Sequence, residues 1–114
     1  MNDRELLEAA AKAAGYPIHS DAWACGPSGK EPTLFMGNSG PAWNPLTNDG
    51  DALRLAVKLG LAPSVFVVGA SDGCTMVSST TLPHGELFVE EMHEQDPYAA
   101  TRRAIVRAAA EIAC

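Results

Sequence analysis

One run, Trp43-Asn44-Pro45-Leu46-Thr47-Asn48 followed by 49–59, constrains this chain more than any other. It joins a stiff aromatic-proline step, a polar helix-start signal and an amphipathic helix. Pro45 fixes its own φ and removes one backbone donor, so the chain reaches the helix along a restricted path. Asn48 or Thr47 is a suitable N-cap, because a short side-chain oxygen can accept from the first free N–H groups. Asp49 and Asp51 put negative charge at the positive end of the helix dipole. Ala52, Leu55, Ala56 and Leu59 recur at three-four spacing, and Leu53 and Val57 widen the apolar face. Gly60 and then Pro63 end the pattern. The run predicts a helix over 49–59, apolar over more than half its circumference and more deeply buried than the first helix of the chain.

Two more helices flank this centre. The first is expected over 3–14, capped by Asn2 or Asp3, with Leu6, Leu7, Ala10 and Ala14 in one stripe. Gly15 closes it and Pro17 prevents continuation. The last begins at Asp96-Pro97, a strong cap followed by the residue preferred at the first helical position. Ala100, Ala104, Ile105, Ala108, Ala109 and Ile112 form its expected buried face. Arg102, Arg103 and Arg107 lie away from that face.

Between the second and third helices the period changes to two. Ser64 to Val68 is a β-branched and aromatic run. Ser71-Asp72-Gly73 gives a turn, Cys74 to Thr80 alternates loosely, and Leu82-Pro83-His84-Gly85 gives another turn. Glu86 to Glu90 reads as a further strand. Short links between neighbours predict an antiparallel meander. The stretch 16–44 is less regular. Tyr16 to Ser20 could be a short strand, Cys25 to Lys30 is a loop signal, and Thr33 to Met36 could be a strand ended by Gly37 to Pro41.

The chain has 114 residues, enough for one domain spanning 1–114, and 46% of them are hydrophobic. The expected class is α+β: three helices packed on an antiparallel sheet of three to four strands. Helices on both faces would make it an α-β-α sandwich. No internal repeat, low-complexity tract or long linker interrupts it.

The net charge of -6 repels phosphate backbones, which disfavours nucleic acid as a partner. Three cysteines at wide spacing, Cys25, Cys74 and Cys114, do not make a disulfide framework. The opening Met1-Asn2-Asp3-Arg4-Glu5 carries no apolar leader segment. No apolar run approaches the about 18 residues that span a bilayer. The expected setting is the cytoplasm, with free thiols and no membrane association.

Trp43 to Leu59, together with Ala99 to Ala108 and with Leu6 to Gly15, resembles the phage ABA-sandwich domain family. These are small proteins of bacteriophages and prophages. A more distant similarity links the Asn-Pro-Leu step before a helix to small proteins of the lambdoid Nin region. The matching segments cover about half of the chain. The resemblance implies an α-β-α layered fold and a phage or prophage gene product. It transfers no catalytic residue, since the family has no settled activity.

Each chemical feature has two readings. Trp43, Asn44 and Pro45 could staple the second helix, with Asn44 bonding local backbone. They could instead form a binding edge anchored by a partly exposed Trp43. Arg102, Arg103 and Arg107 could be a solvated face pairing with Glu90, Glu91, Glu94 or Glu111. They could instead dock an acidic partner or nucleic acid. These six are the candidate binding residues. Glu86, Glu90, Glu91 and Glu94 form an acidic stretch that either aids solubility or mimics nucleic acid toward a host protein.

Catalytic and metal patterns are weaker. Asp49 and Asp51 flank a glycine as in the start of a calcium loop, but no bidentate glutamate follows, and helix capping explains both. Cys25, His19, His84 and His93 lack zinc spacing, and neither Cys25 nor Cys74 has a context that activates a thiol. Ala24 to Lys30 approximates a phosphate loop, but Gly26 is too near Lys30 and Glu31 stands where a hydroxyl is needed. The expectation is therefore a small accessory protein with no cofactor and no metal. It would act by binding a host or phage protein, or itself as a homodimer across an uncovered sheet edge. The competing expectations are a metal-dependent hydrolase using Asp49, Asp51 and His84, and a nucleic-acid module using the arginines.

Overall fold

The computed structural model describes residues 3–16, 23–25, 32–35, 42–68, 72–79, 87–94 and 96–113. Several expected features lie outside these residues: the strand after Tyr16, the loop after Cys25, the turns at 37–41 and 82–85, and the side chains of His19 and His84. The fold is α+β, as the patterning predicts. Among the described residues it has three helices, α1 (Asp3–Ala14), α2 (Asp49–Leu59) and α3 (Pro97–Ala113). The main sheet is antiparallel and made of three strands, β4 (Ala62–Val68), β5 (Asp72–Ser79) and β6 (Leu87–Met92), in the order β4-β5-β6. A second small sheet of β1 (Trp23–Cys25), β2 (Pro32–Phe35) and β3 (Ala42–Trp43) precedes α2. Sequence patterning offers only one strand there. These strands are too short to show alternation.

Local chemistry sets the helix bounds. Asn48 caps α2, its Oδ1 accepting from the Asp51 N–H at 2.9 Å. Asp96 caps α3, its Oδ1 accepting from Tyr98 N and Ala99 N, each at 3.1 Å. α1 and α2 both end in the same double bond. Tyr16 N donates to Ala11 O and Gly15 N to Lys12 O, while Leu61 N donates to Ala56 O and Gly60 N to Val57 O. This pairing satisfies carbonyls that a helix end otherwise leaves open.

The layers run sheet, then α3, then α1 and α2. α3 contacts all three strands of the main sheet and also packs on α1 and α2. Ala104, Ile105, Val106, Ala108, Ala109 and Ala110 are therefore all buried, a wider arc than the stripe read from spacing. A helix with an apolar arc this wide packs on more than one side, and Arg103, Arg107 and Glu111 keep its remaining margin toward water. Ala10, Ala11 and Ala14 of α1 are buried against it in one core cluster. Small side chains on both helices let the backbones come close.

α2 departs from expectation. Ala52, Leu55 and Ala56 are buried, but Leu53 is 61% exposed and Val57 is 73% exposed. α2 packs mainly on α3, so only one stripe is covered and the extra apolar positions face outward. α2 is therefore not more buried than α1: α1 buries Leu6, Leu7, Ala10, Ala11 and Ala14, and α2 buries Asp51, Ala52, Leu55 and Ala56.

Strand register settles which side chains share a face. Val65 opposes Thr75, Thr75 opposes Glu91, and Val77 opposes Val89. Thr75, Val77, Ser79 and Val89 are buried, so this face meets α3. Phe66 opposes Cys74, which opposes Met92, and Ser78 opposes Phe88. Phe66, Phe88 and Met92 are exposed on the other face. The turn expected at 71–73 does not take Asp72 and Gly73, which extend β5 and pair with Val68 and Val67. Gly73 has φ +127, and a Cβ there would lie 2.3 Å from the Phe66 carbonyl oxygen. Only glycine fits that approach.

Candidate functional site

The Trp43-Asn44-Pro45 step is an interior junction. Trp43 ends the small sheet, opposite Leu34, and is 6% exposed. Its ring meets Tyr16 edge-on, with centroids 5.4 Å apart and planes at 77°. Lys58 of α2 places Nζ 4.5 Å from the Tyr16 ring centroid. One aromatic pair thus links the end of α1, the small sheet and the end of α2. Trp43 is not the partly exposed anchor that a binding edge needs.

Asn44 and Pro45 are buried as well. Asn44 Oδ1 accepts from Leu46 N at 3.0 Å, and the Asn44 carbonyl accepts from Asn48 N at 2.9 Å. The Asn44 N–H donates to Asp51 Oδ2 at 3.0 Å. Asp51 Oδ1 accepts from Arg54 at 2.8 Å. Asp51 therefore ties the approach segment to the first turn of α2, while its own N–H is held by Asn48. The Asn-Pro-Leu step and the Asp-Gly-Asp step form one hydrogen-bonded unit.

The three arginines diverge. Arg102 is drawn inward, with its side chain 17% exposed. Its Nε donates to the Leu46 carbonyl at 2.9 Å, and NH1 donates to Asp49 Oδ1 at 2.6 Å. Arg103 pairs with Asp3 at 2.7 Å, joining α3 to the first residue of α1. Arg107 pairs with Glu91 and also donates to the Glu90 carbonyl at 3.1 Å. The Glu91 pairing matches the expected solvated-face pairing. Asp49 and Asp3 replace the glutamates expected for Arg102 and Arg103. Three residues on one helix thus fasten it to α2, α1 and β6.

A buried polar chain escapes sequence reading. His93 follows β6 and is almost wholly enclosed. Its Nε2 lies 2.8 Å from Thr75 Oγ1, and Thr75 Oγ1 lies 2.7 Å from Thr101 Oγ1. The His93 N–H donates to the Gly73 carbonyl at 3.1 Å. The chain stitches β5, the end of β6 and α3 together through side-chain hydrogen bonds. Among the described residues every buried side-chain polar atom has a partner. Thr75 is completely shielded, so its hydroxyl is a structural tie and not a nucleophile open to substrate. Alternation in β5 was the one available signal for Thr75. Nothing in sequence marked its partners.

Concavities adjoin α3 among the described residues. One, of about 510 Å³, lies over the end of β6 and the start of α3, beside Glu91, His93, Asp96, Arg103 and Arg107. Another, of about 390 Å³, is an apolar groove between α2, α3 and β4. Leu53, Val65, Val67, Tyr98 and Ile105 line it, with Asp49 and Arg102 at one end. Among the described residues no three His, Cys, Asp or Glu side chains converge as metal ligands would. No helix among them is long and apolar enough to cross a membrane.

Compared with known proteins, the chain matches no family model, no curated protein and no solved structure.

Proposed function

We propose that this is a small phage- or prophage-encoded accessory protein that acts by binding another protein. The resemblance of 6–15, 43–59 and 99–108 to the phage ABA-sandwich family suggests the source. The carrying observation is apolar exposure concentrated on a small fold. Val65 and Val67 of β4, with Leu53 and Tyr98 beside them in the groove, are all more than half exposed, and Phe66 is exposed on the opposite face of the sheet. Contiguous exposed apolar surface on a soluble fold marks an interaction face. The polar candidates are already engaged, with Asp49 on Arg102, Asp51 on Asn44 and Arg54, and Arg103 and Arg107 on carboxylates. That engagement favours binding through the apolar face over an arginine-phosphate or paired-carboxylate site.

Capture from bacterial lysate with chemical cross-linking tests the reading. The wild-type chain should retain a defined protein, or a second copy of itself, through cross-links that map near β4 or Tyr98. Retention unchanged by Val65→Lys, or cross-links confined to the far side of α1, would count against it.

A further inference from the structure

Resting on the protein-binding reading, we propose that the partner of the β4 face is a second copy of this chain. The two β4 strands would pair antiparallel across a two-fold axis. β4 is an outer strand of the main sheet, and among the described residues nothing pairs with its far edge. Natural edge strands are usually blunted by lysine, inward charge, a bulge or a cover. β4 reads Ala62-Pro63-Ser64-Val65-Phe66-Val67-Val68 and has no charged residue. Its one edge feature is Pro63, near its start, which has no N–H to offer.

Charge selects the occupant. The chain carries -6, so two copies repel least where they meet across a neutral surface. Among the described residues this face is neutral. The charged residues described in the groove beside β4 are Asp49 and Arg102, and they pair with each other at 2.6 Å. Glu90, Glu91 and Glu94 lie at β6, on the opposite edge of the sheet, or just after it. A basic partner would be drawn to that acidic side and not to β4.

Shape agrees with charge. An isologous contact requires projections and a recess on the same patch. Leu53 and Tyr98 project at the rim of the groove, and the groove itself offers about 390 Å³. A two-fold at the β4 edge joins two three-stranded sheets into one and sets each copy's rim against the other's recess. The backbone edges gain partners, and Val65 and Val67 lose their water.

Sedimentation equilibrium of the full chain at about 100 µM, well above a micromolar Kd, tests this. The wild type is expected at twice the 12.0 kDa chain mass. Val67→Lys should weaken association at least about tenfold and sediment as single chains, because lysine on an edge blocks strand addition. Val67 is 68% exposed, so the change leaves the core untouched. Leu53→Lys is the second variant, on a different element of the same groove, should Val67→Lys lose its circular-dichroism spectrum. Phe88→Lys, on the outward face at β6, should still dimerise. A single-chain wild type overturns the proposal, as does a folded Val67→Lys dimer or a Phe88→Lys monomer. A single-chain wild type that still retains a bacterial protein through β4 overturns only the self-pairing. Loss of both removes the binding reading too.

Discussion

At the residue scale, two positions bear more than their chemistry suggests. Gly73 sits where β5 passes the Phe66 carbonyl, in a backbone conformation that L side chains rarely adopt. Gly73→Ala should cost about 2–3 kcal/mol through strain and the forced shift of β4. Urea unfolding would read this as a lower midpoint with an unchanged slope. Thr75 is the middle of the His93–Thr75–Thr101 chain. Thr75→Val keeps the shape but leaves the enclosed His93 and the partly buried Thr101 with one partner fewer each, at a cost of about 1–3 kcal/mol. Thr101→Val should cost less, because Thr101 is only partly buried and the Thr75–His93 bond survives. Equal midpoints for both valine variants would contradict that ordering. Neither position was legible as a site. Gly73 looks like a turn glycine in sequence, and Thr75 looks like any strand threonine until its partner, 18 residues away, is placed.

At the element scale, α3 organises the molecule. Its arginines differ in what they hold, and their mutational costs should differ accordingly. Arg102 is drawn inward and its Nε donates to the Leu46 backbone carbonyl at 2.9 Å. Arg102→Ala should destabilise by about 1–2 kcal/mol and loosen the approach to α2. The Arg103–Asp3 pair is partly exposed on both sides, so Arg103→Ala should cost at most about 0.5 kcal/mol. Thermal unfolding of the two variants should separate their melting temperatures by several degrees. Coincident curves would mean that the Leu46 carbonyl bond contributes nothing. Spacing revealed the helix and its arginines but not their partners. Asp49 and Asp3 lie 53 and 100 positions away in the chain, and only the packing of α3 against α2 and α1 brings them close.

The helix and strand pattern was legible for physical reasons that also mark its limits. Caps are short-range bonds, so Asn48, Asp96, Gly15 and Gly60 announce helix ends directly. A β-branched and aromatic run marked β4, and loose alternation marked β5, whose one face meets α3. The small sheet has strands of two to four residues, below the length at which period can be read. Leu53 and Val57 misled because an apolar stripe records which residues resist water, not how many neighbours arrive to cover them. Their exposure is informative. It leaves Leu53 at the rim of the groove that β4 shares with α3.

At the whole-molecule scale, the fold has one well-made interior and one incomplete margin. α3 is packed between sheet and helices, while β4 carries apolar side chains outward and, among the described residues, has no strand paired to its far edge. An isolated chain tolerates this only at the expense of solubility, since such edges invite non-specific pairing. The Val67→Lys chain should therefore stay soluble at concentrations where the wild type associates, with little change in melting temperature measured at high dilution. A large fall in dilute melting temperature would mean that Val67 supports the single chain itself.

Amide hydrogen exchange of the unmodified protein across a dilution series tests the central claim most directly. Amides at 62–68 that point away from β5 should exchange slowly when the chain is concentrated and faster on dilution, while those bonded to β5, like α3 and β6, exchange at a constant rate. Protection of the outward β4 amides that is independent of concentration, or concentration-dependent protection in β6 instead, would contradict an interaction face built on β4.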